Sequence, residues 1–213
     1  MSAARRAIRG LYAVTRDDRD TEALIARVRA AIAGGARFIQ YRNKTATPDL
    51  KLEQARALKS LCEDAEVPLI INDDVELALA VGAHGVHLGA GDDSPEEARQ
   101  KLGPDNLIGV SCYNRLELAL EAEARGADYV AFGSFFPSHV KPGAVHAPLD
   151  LLVRAKRELD IPVAAIGGIT LENAPRLLAA GADALAVISA LFTAPDVTLA
   201  ALRFAELFEA ERL

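Results

Sequence analysis

Tryptophan is absent, methionine occurs once, and aromatic residues make up 5% of the chain, so any core must be built mainly from aliphatic side chains and alanine. Cysteine is scarce as well. Cys62 and Cys112 supply neither a disulfide framework nor a metal-binding spacing, and they read as separate reduced thiols. No apolar run reaches the roughly 18 residues that a membrane-spanning helix needs. The N-terminal segment, with Arg5, Arg6 and Arg9 before Gly10, lacks the apolar stretch of a secretory signal. Positive charge is not in excess either, because the net charge is -6. That excludes a broad basic surface for nucleic acid and leaves a phosphate ligand to a local cationic pocket. The expectation is a cytoplasmic protein with no membrane or nucleic-acid partner.

What the chain does have is apolar material in a regular arrangement. Its 213 residues are 51% hydrophobic and 25% charged, enough for one well-buried domain over 1–213 and short for two. The dipeptide Gly-Ala recurs at Gly35-Ala36, Gly82-Ala83, Gly126-Ala127 and Gly181-Ala182. Each time a run rich in Ala and Leu precedes it and an apolar run follows, as at a helix C-terminal cap leading into a strand. Four further strands are expected over Gly10 to Thr15, Leu69 to Asn72, Leu107 to Ser111 and Pro162 to Ile166. Helices are expected over Thr21 to Ala33, Pro48 to Ala65, Val75 to Val81, Pro95 to Leu102, Arg115 to Arg125, Leu149 to Glu158, Leu171 to Ala180 and Leu199 to Glu211. Thr47-Pro48, Ala147-Pro148 and Ser94-Pro95 with Glu97 mark helix starts, the last as a capping box. Eight βα units of roughly 27 residues each predict a single (β/α)8 barrel of the TIM type. A doubly wound open sheet competes, but its early glycine fingerprint is missing.

In such a barrel the functional residues stand just past the strands. Gln40, Arg42 and Lys44 alternate along the end of the second strand and project to one side, which suits a phosphate or diphosphate. A solvated strand end with ion pairs is the plainer account. Asn72 and Asp73 follow the third strand and Asp92 the fourth, so Asp73 and Asp92 can approach, and two carboxylates held together call for a proton or a cation. A hard divalent ion shared with substrate phosphates fits Mg²⁺. Asp74 and Asp93 compete for the inward positions, and helix N-capping competes for all four acids. Gly167-Gly168 after the seventh strand and Ile188-Ser189 at the eighth occupy the place where barrels often bind phosphate through backbone N–H groups. His87 reads as a packed or pocket-lining side chain, and His84, His139 and His146 as loop residues. No Ser/His/Asp or Cys/His constellation emerges, which argues against covalent hydrolase chemistry. Cys112 reads as a small buried filler.

Taken together and in order, Gln40-x-Arg42-x-Lys44, Ile71-Asn72-Asp73, Val86-His87-Leu88-Gly89 with Asp92, Val110-Ser111, Phe136-Pro137-Ser138-x-x-Lys141, Ile166-Gly167-Gly168-Ile169 and Val187-Ile188-Ser189 resemble the thiamine phosphate synthase family, from about Leu11 to Ser189. The resemblance implies a Mg²⁺-dependent transferase that joins hydroxymethylpyrimidine diphosphate to hydroxyethylthiazole phosphate and releases diphosphate. It implies that Asp73 and Asp92 hold the metal. Gln40, Arg42, Lys44, Asn72 and Lys141 would then contact the pyrimidine diphosphate, with Ser111 near the pyrimidine. Ser138, Gly168, Ile188 and Ser189 would meet the thiazole phosphate or its neighbouring groups. Of these, Arg42, Lys44, Ser111 and Lys141 are the expected catalytic residues. The chain departs from the family pattern at Ala90, where Gln is common, and in the phosphate loop, where Ser138 and Val140 replace Thr. Valine cannot donate, so one side-chain contact is expected to be lost.

A related barrel, the thiazole tautomerase, shares much of the scaffold without diphosphate chemistry. Retention of Asp73, Asp92, Arg42, Lys44 and Lys141 favours the synthase. A non-catalytic barrel would bind a phosphorylated ligand without turnover. Residues 137 to 148, punctuated by Pro137, Pro142 and Gly143, suit a lid. Association into a homo-oligomer stays open.

Overall fold

The computed structural model of the chain describes residues 8–137 and 145–210. Strands β1 (Gly10–Val14), β2 (Phe38–Tyr41), β3 (Leu69–Asn72), β4 (Gly85–Leu88), β5 (Leu107–Tyr113), β6 (Tyr129–Phe132), β7 (Val163–Ile166) and β8 (Ala184–Val187) pair in parallel in sequence order. β8 then pairs with β1, through Leu11 opposite Leu185, and closes the expected barrel. Around it run α1 (Thr21–Ala33), α2 (Pro48–Asp64), α3 (Val75–Val81), α4 (Pro95–Leu102), α5 (Leu116–Ala124), α6 (Asp150–Glu158), α7 (Ala174–Ala179), α8 (Ser189–Phe192) and α9 (Val197–Ala210). Two of the three expected helix starts are found as expected; at the third, α6 begins at Asp150 after Leu149 with no side-chain cap, so Pro148 stands before the helix and not at its first position. Thr47 Oγ1 accepts from Leu50 N at 3.4 Å, and Ser94 and Glu97 form the reciprocal capping box. α7 begins later than expected because Asn173 locks the preceding turn, accepting from Thr170 N at 2.9 Å and donating to Gly168 O at 3.0 Å. β5 runs on to Tyr113 by way of an irregularity between Ser111 and Tyr113.

Each strand alternates between two cores. Leu11, Ile39, Leu69, Ile71, Val86, Ile108, Val130, Val163 and Leu185 face the helices. Tyr12, Phe38, Ile70, Leu107, Tyr129, Ala131, Ala164, Ala184 and Ala186 fill the barrel. Large rings on β1, β2 and β6 thus meet alanines on β6 to β8, a division of volume that lets one short barrel close without tryptophan.

The Gly-Ala repeat has a mechanical role at the opposite end from the rim. Gly82 caps α3, whereas Gly35, Gly126 and Gly181 stand one residue past the caps Gly34, Arg125 and Ala180. The residue after each Gly-Ala ties the new strand to the one before. His84 N donates to Leu69 O at 2.9 Å while its Nδ1 accepts from Leu69 N at 2.9 Å. Asp128 N donates to Ile108 O and its Oδ2 accepts from Ile108 N, both at 2.7 Å, and Asp183 repeats the pattern with Val163 at 2.8 Å in both directions. Arg37, the residue at the first joint, makes only the backbone half, to Leu11 O at 2.8 Å, since a guanidinium cannot accept.

Two predictions follow from these ties. Asp128 is buried and also receives Arg99 Nη2 at 2.6 Å. Asp128→Ala should therefore destabilise the fold by about 3 kcal/mol, leaving the Ile108 N–H without its acceptor and Arg99 with backbone carbonyls but no counter-charge. Urea unfolding measures this, and a parent-like midpoint would refute it. At the His84 joint, burial first and the Lys59 cation second hold the imidazole below its ordinary 6.5, against the opposing pull of Glu63. As pH falls below 6.5 the unfolded chain takes up a proton that folded His84 refuses, so stability is full above that value and declines beneath it. His84→Asn keeps an acceptor but cannot titrate. Its unfolding free energy should lose less than the parent's between neutral and mildly acidic pH, and equal losses would exclude His84 as the source.

Candidate active site

The inward positions at the carboxyl ends of the strands carry Gln40, Asn72, His87 and Ser111, the last three in adjoining strands with Asn72 opposite His87. Outward parity at β2 is explicit. Tyr41 Oη donates to Gln54 Oε1 at 2.8 Å and Asn43 Nδ2 donates to the same oxygen at 3.0 Å, fastening these two residues to α2. Gln40 is thereby left to the other side; β2 ends at Tyr41, so the alternation does not carry on through Arg42 to Lys44, and Lys44 lines one cavity together with Tyr41 and Asn43. Gln40 is buried and donates through Nε2 to Tyr12 Oη at 2.8 Å. Arg42 Nη1 meets Asp17 Oδ1 at 3.2 Å, and that same oxygen accepts from Lys44 N at 2.8 Å. Thr15, buried at the end of β1, accepts from Arg42 N at 2.8 Å and donates to Arg42 O at 3.0 Å. Thr15 and Asp17 are therefore the braces of the cationic segment, and sequence reasoning missed both. Their position just past β1 was the available signal.

The four rim acids separate into two pairs with different tasks. Asp74 is the N-cap of α3, accepting from Leu77 N at 2.8 Å, and Asp93 pairs with Lys101 at 2.9 Å. Asp73 and Asp92 turn toward each other. Asp73 adopts a left-handed backbone at φ 65° and donates its N–H to His87 O at 2.8 Å, which folds the end of β3 across the end of β4. Asp92 accepts from Gly89 N at 2.6 Å. Partial burial raises the Asp92 carboxyl above its ordinary range; the Gly89 N–H opposes this and the Asp73 charge adds to it. Lys44 Nζ reaches Asp73 Oδ2 at 3.2 Å.

A cation would relieve that repulsion. The donors are carboxylate oxygens, the set a hard divalent ion prefers, and among the described residues no cluster of three or more His, Cys, Asp or Glu is close enough to form a complete cage. Two protein carboxylates with the remaining positions left to water and phosphate fit Mg²⁺ in particular, because it keeps much of its own hydration.

A cavity of about 670 Å³ opens here, lined by Lys44, Lys51, Asn72, Asp73 and Asp92 among others. A neighbouring one of about 280 Å³ takes in Gly89, Ala90, Asp92 and Ser111. Across the rim, Gly167, Gly168, Ile188 and Ser189 line a smaller space of about 50 Å³, where the short α8 begins. The structure adds a second reason for glycine there. A Cβ on Gly168 would stand 2.4 Å from Pro137 O, so the loop after β6 packs directly on this backbone. Ser138 and Lys141, with most of the expected lid, lie outside the described residues. Cys112 is buried, and burial pushes its thiol up to about 12, as suits a filler.

Below the rim, Tyr12 Oη and Tyr129 Oη are 2.7 Å apart, and His87 bridges Tyr129 Oη (3.0 Å from Nδ1) and Ser111 Oγ (2.9 Å from Nε2). Both tyrosines went unremarked in the sequence, although each falls at an inward strand position.

Comparison with known proteins places the chain in a family with this fold. A family model described as thiamine monophosphate synthase matches residues 11–191. The chain is 59% identical over 201 residues to the thiamine-phosphate synthase of Azoarcus sp., covering 94% of this chain and 98% of that one. It is 54% identical over 208 residues to the thiamine-phosphate synthase of Nitrosospira multiformis, covering 98% and 89%. Among solved structures, a thiamine phosphate pyrophosphorylase from Pyrococcus furiosus superimposes with a TM-score of 0.86 at 39% identity, covering 96% of this chain and 98% of that one.

Proposed function

The chain belongs to the thiamine monophosphate synthase family and is a transferase, and on that premise we propose that it joins hydroxymethylpyrimidine diphosphate to hydroxyethylthiazole phosphate, with Mg²⁺ held by Asp73 and Asp92. The observation that carries the reading is the repelling Asp73–Asp92 pair with Lys44 ion-paired to Asp73, while Asp17 ties the Arg42 guanidinium to the Lys44 backbone just past the same strand.

In the reaction, the bond between the substrate methylene carbon and the diphosphate oxygen breaks and the electron pair leaves with diphosphate. A bond then forms from the thiazole nitrogen lone pair to that carbon. The aminopyrimidine stabilises the carbocation, so the protein's task is to hold negative charge on the leaving group. Bound Mg²⁺ would supply part of that charge stabilisation. Arg42 presents a fork to diphosphate oxygens and Lys44 a point charge, both fixed beforehand by Asp17 and Asp73. Lys141 joins them by the family pattern. Gln40 and Asn72 stand nearer the axis to orient the pyrimidine end, with Ser111 beside the ring. The thiazole phosphate is assigned to Gly168, Ile188 and Ser189, with Ser138 from the loop. The attacking nitrogen has no proton to lose, so no general base is needed. A tautomerase would leave the acid pair and the cationic segment without a task.

The test is diphosphate release by the purified chain with both substrates and Mg²⁺, the condensed product being followed by mass. Product should require both substrates and the metal. Binding of the diphosphate substrate with no product would reject the transfer reaction and favour a barrel that only binds.

A further inference from the structure

Five side chains from five strands form an unbroken line of hydrogen bonds through the barrel. Gln40 Nε2 lies 2.8 Å from Tyr12 Oη, Tyr12 Oη 2.7 Å from Tyr129 Oη, Tyr129 Oη 3.0 Å from His87 Nδ1, and His87 Nε2 2.9 Å from Ser111 Oγ. Gly109 makes room for it, since a Cβ there would fall 2.0 Å from Tyr129 Cζ. Four of the five members are buried, and Ser111 alone reaches the 280 Å³ cavity at the rim.

We propose that this line runs in one direction, from Gln40 to Ser111, and so fixes the Ser111 hydroxyl as a hydrogen-bond donor toward the pyrimidine substrate. Each hydroxyl has one proton to place. Tyr12 receives the Gln40 amide N–H, so its own proton is satisfied at Tyr129, and a buried hydroxyl proton left without an acceptor costs free energy. Tyr129, having accepted, sends its proton to His87 Nδ1. That nitrogen must then be bare, which puts the imidazole proton on Nε2 and aims it at Ser111 Oγ. Ser111 accepts from His87 and turns its own proton toward the cavity. Burial pushes both phenols well above their ordinary range, so neither ionises and interrupts the order. The reverse order requires Gln40 to offer its carbonyl to Tyr12. It would place the imidazole proton on Nδ1 and leave Ser111 able only to accept.

Tyr12, Tyr129 and His87 are positioning residues in this account, acting through Ser111. The inference rests on the substrate reading above for the identity of the ligand. A donor at Ser111 meets a ring nitrogen lone pair and rejects a ring edge that presents an N–H there, the kind of polar mismatch that discriminates strongly between analogues.

The tautomer can be read without substrate, from the two-bond proton–nitrogen spectrum of the full chain labelled with ¹⁵N-histidine, with His87 assigned by its absence in His87→Gln. The expected result is the Nε2–H form in the parent, and a shifted His87 pattern in Tyr129→Phe. An Nδ1–H form in the parent, or a pattern untouched by Tyr129→Phe, would overturn the proposal. In kinetics, Tyr129→Phe should raise KM for the pyrimidine diphosphate about tenfold, the worth of one hydrogen bond, with KM for the thiazole phosphate unmoved. His87→Gln can accept from Tyr129 and donate to Ser111, so it should recover most of the affinity that His87→Leu loses. Equal losses in the two variants would contradict the relay. Should Tyr129→Phe fail to fold, Tyr12→Phe removes the preceding hydroxyl and serves in both arms. The expected tautomer without any turnover would uphold the relay and refute the substrate reading instead.

Discussion

Asp92→Asn is expected to lower metal-dependent diphosphate release by at least about a hundredfold while leaving the fold as stable as the parent. The two halves of that expectation have separate physical causes. An amide oxygen at position 92 still accepts the Gly89 N–H, so the turn after β4 keeps its internal bond. The like charge facing Asp73 disappears, and with it a repulsion that raises the native carboxyl. Stability therefore holds or rises, the usual trade when a strained site is relaxed. Activity is expected to fall because one of the two carboxylates proposed to hold Mg²⁺ is gone, and Asp73 alone, already paired with Lys44, would neutralise a divalent ion poorly. Initial rates across a Mg²⁺ titration, set beside thermal midpoints, measure both halves. Parent-level turnover would remove Asp92 from the metal site. A large loss of stability would show that the rim had depended on its charge.

Which acid of each pair faces the other could not be read from spacing alone, and only the family resemblance singled out Asp73 and Asp92. Asp73 and Asp74 are neighbours at a strand end, and either reads as a ligand or a helix cap. The left-handed backbone at Asp73 and the cap at Leu77 N divide the roles, and both are properties of the folded turn. Asp92 and Asp93 are separated in the same way, by Gly89 N–H and by Lys101. The barrel itself was legible because parallel strands buried on both faces leave short apolar runs, and because Thr47, Ser94 and Glu97 announce helix starts chemically. α8 escaped notice, as four residues are too few to show a helical period. The interior relay escaped for another reason. Tyr12 and Tyr129 are 117 residues apart, and a tyrosine on an apolar strand looks like core until its hydroxyl finds a partner. The Gly-Ala repeat was visible as spacing, whereas the stitching by His84, Asp128 and Asp183 depends on strand register.

Arg42→Ala should reduce kcat/KM for the diphosphate substrate by about a hundredfold to a thousandfold, the range seen when one preorganised charge-stabilising donor is removed. Arg42→Lys should recover only part of this, because an ammonium offers a point charge in place of a planar fork. Asp17 makes the role of preorganisation testable. It touches Arg42 Nη1 and Lys44 N with one oxygen, so Asp17→Ala leaves both cations in place but frees them to move. Its cost should be nearer tenfold, the effect of loosened positioning alone. If Asp17 acts through Arg42, the double variant will be no worse than Arg42→Ala. Full additivity would instead assign its effect to the Lys44 backbone. The division between constants then distinguishes gripping from catalysis. A loss confined to KM would mean that Arg42 holds substrate and transition state equally, whereas a loss in kcat would place its contact on the charge that grows as the carbon–oxygen bond breaks.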